Sequence, residues 1–129
     1  MSERGSVTVL MAGVVGLGLA VVLGLAAVGQ LLVARGTASA AADAGALAAA
    51  PVTFRPFGAS GSATAEAARF TSANGARVVR CDCASNSTYA DRIVVVEVEL
   101  NVAVLGRFAT TVTATSAAEF RPVELLGIP

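Results

Sequence analysis

The run GSVTVLMAGVVGLGLAVVLGLAAVGQLLVA, residues 5–34, constrains this chain more than any other feature. It holds thirty residues without a formal charge, and Ser6, Thr8 and Gln30 are its non-glycine polar members. As a helix it spans ~45 Å at ~1.5 Å per residue. A bilayer core needs only ~20 residues, so the run can cross and project beyond. A secretory signal has an apolar core of ~7–15 residues with a small-residue cleavage site close behind. The run is about twice that length, which favours a retained anchor, although Ala38-Ser39-Ala40 just downstream keeps a cleaved signal in view.

The helix pattern does not end with the apolar run. Residues 34–51, ARGTASAAADAGALAAAP, are more than half Ala, the residue of highest helix propensity. Pro51 disfavours helical backbone at the residue before it. One helix from Ser6 to Ala50 is therefore expected, with Gly36 and Gly45 as soft spots. Within it Ala12, Gly16, Ala20 and Gly24 recur at i, i+4 and form a narrow ridge of small residues. Such ridges let helices approach closely in lipid.

Beyond the helix, residues 51–61 carry the prolines and glycines of a loop. A second helix is expected over 62–76. Ser62 is its candidate N-cap, Ala63, Ala67 and Phe70 its shared face, and Asn74-Gly75 its stop. Arg77–Cys81 reads as a short strand and 82–91 as a polar loop. RIVVVEVELNVAV, residues 92–104, alternates strictly, with Val94, Val96, Val98, Leu100, Val102 and Val104 on one face. After the turn Leu105-Gly106-Arg107, residues 108–115 alternate as an antiparallel partner. Residues 116–129 read as a flexible tail. The expected class is α+β: a long N-terminal transmembrane helix, a second helix and a small three-stranded antiparallel sheet. Its parts are a leader 1–5, the helix and its Ala-rich extension 6–50, a loop 51–61, an extracytoplasmic domain 62–115 and the tail.

Composition excludes much chemistry. All nine cationic residues are Arg, and the chain has no His, which removes the commonest general base and metal ligand near neutral pH. Past Arg35, seven Arg face eight Asp or Glu, a balance with no nucleic-acid footprint. Cys81-Asp82-Cys83 lacks the second ligand pair that structural zinc needs. An intrachain disulfide between Cys81 and Cys83 requires a kink, because i and i+2 in extended chain lie near the upper limit of separation. A bridge to another subunit and the reduced state stay open. Asn86-Ser87-Thr88 fits the glycosylation acceptor pattern, a short match that arises by chance. Glu97 and Glu99 share one face of a strand, as paired carboxylates for acid–base work do, but also as any solvent face does. Arg77, Arg80 and Arg92 flank them as candidate partners. Asp43 stands alone among alanines. No catalytic set, cofactor site or small-molecule substrate site emerges, so no enzyme is expected.

ERGSVTV leading into a Gly/Ala/Val helix, then Arg35, then AAADAGALAAA at 40–50, resembles the TadE/TadG-like pilin-related proteins of tight-adherence pilus systems. The resemblance implies a minor pilin- or pseudopilin-like part of a type IV-related pilus or secretion apparatus. Its partners would be membrane lipid, other pilin-like subunits and the Tad assembly platform. It also implies processing between Gly5 and Ser6 by a prepilin peptidase that leaves the helix in place. Leu10 stands where type IV pilins usually carry Glu, which suits an accessory role better than a repeating filament subunit. Two other readings remain: a small domain secreted after cleavage near residue 40, and an anchored regulator or sensor with no filament role.

Overall fold

The computed structural model describes residues 3–54, 61–125 and 127. In chain order the elements are α1 (Glu3–Val52), α2 (Ala63–Ala73), β1 (Arg77–Asp82), β2 (Arg92–Val104), β3 (Phe108–Phe120) and the short α3 (Pro122–Leu125). The three strands form one antiparallel sheet in the order β1-β2-β3. Both long helices lie against its one face, α1 along β2 and β3, and α2 between α1 and β1. The α+β architecture expected from the sequence is the one observed.

α1 is a single unbroken helix of 50 residues. Its far half carries a stripe at helical spacing, Ala34, Ala38, Ala41, Ala42, Ala46, Ala49 and Ala50, all buried. Small side chains on this stripe let the sheet and α2 settle close to the helix backbone. Against them stand Val94, Val96 and Val98 of β2, each at most 1% exposed, and each fully buried Val contributes ~1.5–3 kcal/mol. The helix runs through Pro51 and ends two residues later than the sequence suggests. The burial of Ala49 and Ala50 holds the backbone helical despite the following proline. The Thr53 hydroxyl donates to Ala50 O at 2.6 Å and satisfies the exit.

α2 begins at its expected cap, where Ala65 N–H donates to Ser62 Oγ at 3.0 Å. Its buried face is Ala63, Ala67 and Thr71, while Phe70 is 40% exposed. The expected face was thus off by one residue at its end. The reason lies across the interface at Gly45, where a Cβ would come within 2.7 Å of Thr71 Cγ2 and 3.4 Å of Ala67 O. Backbones this close leave no room for a phenyl ring. Gly45, read from the sequence as a soft spot, is the point of closest approach.

β2 has the bounds its alternation indicates. β3 continues to Phe120, five residues beyond the expected end, pairing Arg92↔Phe120 through Val96↔Ser116. Ser116–Phe120 is therefore sheet, and Ala118 and Phe120 belong to the core. Little β-propensity marks this stretch; its pairing to β2 holds it. The expected loop at 51–61 falls largely outside the described residues, as do 126, 128 and 129 of the expected tail. The β2–β3 turn holds Leu105 at φ 52° and Gly106 at φ 67°. Glycine adopts that region freely, and leucine does so only under constraint. The constraint is visible, since Leu105 N–H donates to Gln30 Oε1 of α1 at 2.7 Å. The hairpin thus lies along the helix with its tip tied at Gln30 and its base at Thr53, where Arg92 Nη1 donates to the carbonyl at 3.2 Å.

Candidate functional site

The helix has two halves of opposite character. From Gly5 to Val33 its side chains are exposed or, at Ala27 and Leu31, half-buried, and most are large and apolar: Leu17 and Val33 are each 70% exposed. The segment is long and apolar enough to cross a membrane, and among the described residues nothing buries its most apolar stretch. Such a continuous apolar surface marks a membrane or partner contact rather than solvent exposure.

The residues singled out for processing and helix packing lie in this uncovered half. Gly5 and Ser6 occupy the first turns and are exposed, and Leu10 is exposed one turn on. Ala12, Gly16, Ala20 and Gly24 follow along an exposed i±4 ridge inclined to the axis. A Cβ added at Gly16 or Gly24 would meet nothing within 4 Å. Among the described residues nothing packs closely on either glycine, in contrast to Gly45.

Glu97, Glu99, Arg77, Arg80, Arg92 and Asn86 are each engaged within the domain. Glu99 pairs with Arg77 directly across from it on β1, and Glu97 with Arg80 at 4.0 Å. These are cross-strand ion pairs on the sheet face turned from the helices, worth little individually. They account for the two carboxylates without acid–base chemistry. Arg92 differs from the expectation that it joins them. It reaches instead into the loop after β1, where Nη1 donates to Asn86 O at 2.8 Å and Nη2 to Ala90 O at 3.2 Å and to Thr88 O. With five N–H donors, one guanidinium can serve several carbonyls at once. Asn86 is held as well: its N–H donates to Thr53 O, and its Oδ1 accepts from Thr88 N–H, each at 2.9 Å. The Asn86-Ser87-Thr88 triplet is thereby part of a structural turn. Asp43 is exposed on α1.

Cys81 and Cys83 are joined by a disulfide with Cα atoms 5.3 Å apart, inside the usual range. β1 stops at Asp82, between the two cysteines, so the chain leaves the extended strand there. Both half-buried cysteines pack against the core. Among the described residues no cluster of His, Cys, Asp and Glu has the makings of a metal site.

Two residues that matter escaped the sequence reading. Gly45 sets the α1–α2 distance, and the buried i, i+4 spacing of Ala38, Ala42, Ala46 and Ala50 around it was the available signal. Gln30, tied to Leu105, is the one polar residue between Met11 and Ala34 that is not glycine, itself a hint of a partner.

A family model for TadE/G-like proteins of Flp pilus assembly matches residues 5–52. No curated protein and no solved structure matches the chain. The matched segment ends at Val52, where α1 ends, so it covers the spine and leaves the sheet outside. Over that helical spine, the chain is similar to the TadE/G-like proteins of Flp pilus assembly.

Proposed function

We propose that the chain is a minor pilin- or pseudopilin-like accessory component of a tight-adherence pilus or related secretion apparatus. Its role is structural rather than catalytic. The near half of α1 anchors it in the cell membrane as a single pass, with the sheet domain on the extracytoplasmic side. The observation that carries this reading is the uncovered apolar half of a helix whose other half is the domain's own core. An anchor alone needs no such continuity, whereas a subunit that must transmit position from membrane to domain does.

In this reading prepilin peptidase cuts between Gly5 and Ser6, and the ridge Ala12, Gly16, Ala20 and Gly24 meets the helices of other pilin-like subunits or of the Tad platform. Close approach of small residues supplies the van der Waals contact that drives helix association in lipid. Leu10 places no carboxylate in that apolar contact, so none needs a charged partner there. Secretion after cleavage near residue 40 fits poorly, because it removes Ala34 and Ala38, both part of the core.

Replacing Gly16 by Leu tests the ridge. It should weaken co-purification with partner pilins and leave membrane insertion intact, since among the described residues an added Cβ there meets nothing within 4 Å. Undiminished co-purification would remove the packing role from this ridge.

A further inference from the structure

We infer that the β2–β3 hairpin tip is a second membrane contact, seated in the lipid headgroup layer beside the point where α1 emerges. The inference rests on the reading that α1 spans the membrane. Leu105 N–H is held by Gln30 Oε1 at 2.7 Å, which fixes the tip's height along the helix. The uncharged run extends from residue 5 to residue 34. A span of ~20 residues inside it ends between about residues 24 and 34. In the first case Gln30 lies ~9 Å beyond the hydrocarbon edge, at ~1.5 Å per residue; in the last it lies within the core. The headgroup layer occupies ~5–8 Å on each side of the core. A span that ends at about residue 25 or later therefore brings the tip to that layer or deeper, at ~1.5 Å per residue.

The tip has the chemistry for that layer. Phe108 is 66% exposed and Leu105 38% exposed, although each borders the turn of a well-paired hairpin. Arg107 lies exposed between them, and Arg35 is exposed on the helix. On the helix below, Val28 and Leu32 are also exposed. Apolar side chains with flanking guanidinium groups suit the boundary between acyl chains and lipid phosphates. In water the same arrangement leaves an aromatic ring uncovered. Two points of attachment, the spanning helix and the hairpin tip, would restrict the tilt of the spine relative to the membrane, which a single helix leaves free.

The chain contains no Trp, so single tryptophans report position without further change. Full-length F108W, L17W and T64W are each reconstituted in vesicles of phosphatidylcholine and phosphatidylglycerol, with and without bromine on the upper acyl chain. Thr64 is exposed on α2 near the far end of the helix. The expected result is a blue-shifted F108W emission that brominated lipid quenches, quenching of L17W as well, and a water-like T64W emission that bromine does not affect. A quenched L17W with F108W behaving like T64W overturns the hairpin contact and leaves the span standing. Blue-shifted F108W that bromine does not quench also overturns it, because protein then covers the tip. Unquenched L17W overturns the spanning reading, and this inference with it.

Discussion

Phe54→Ala lowers the unfolding free energy of the domain by about 3–5 kcal/mol, the range for deleting a buried phenyl ring. Phe54 is 1% exposed and stands where three parts of the chain converge just past the end of α1. Its ring meets Tyr89 edge-on at 5.3 Å and Phe120 at 6.1 Å, and the Arg92 guanidinium lies 5.5 Å from its centre. Removing it opens a cavity under the loop that Arg92 clamps and loosens the end of β3. Against a typical total stability of ~5–15 kcal/mol, such a loss unfolds a marginal domain. Phe108→Ala is the control, because Phe108 is 66% exposed and exposed positions change stability by only about 0.5 kcal/mol. Denaturant unfolding in detergent, followed by the circular dichroism of the sheet, compares the two. A Phe54→Ala loss no larger than that of Phe108→Ala would mean that the ring is not part of the core.

Leucine at Gly45 and leucine at Gly36 should have opposite consequences. At Gly45 even a Cβ would come within 2.7 Å of Thr71 Cγ2, so a full side chain must push α2 away. Overpacking of this kind costs about 1–3 kcal/mol, and occasionally more, and the upper end is expected here because Val96 Cγ1 also closes the site at 3.4 Å. At Gly36 a Cβ meets nothing within 4 Å. There leucine gains helix propensity and stabilises by up to about 1 kcal/mol. Equal effects at the two sites, by the same unfolding measurement, would contradict the close α1–α2 contact.

These cases also mark what the sequence discloses and what it withholds. β2 was legible to the residue because valine alternation is a local signal tied to one buried face. The long helix was legible because an uncharged run and an alanine-rich run join without a break. The end of β3 was not, since Ser116-Ala117-Ala118-Glu119-Phe120 carries little strand preference and is sheet only because β2 lies beside it. Gly45 was misjudged for a related reason. A glycine in a helix reads as a weakness until the partner that needs its missing side chain is known. The Arg92 clamp draws on carbonyls of residues 53, 86, 88 and 90, and no charge pattern announces a guanidinium that binds backbone. Gly5, Ser6 and the small-residue ridge were read as motifs, and the partners proposed for them are other proteins.

The spine account makes the apolar helix a permanent part of the working protein. The measurement that tests it most directly is the intact mass and N-terminal sequence of the protein extracted from membranes. The account predicts a chain that starts at Ser6 with the whole of α1 after that point retained. A chain recovered in soluble form and starting beyond Ala40 would contradict it, because the spine would then have been discarded.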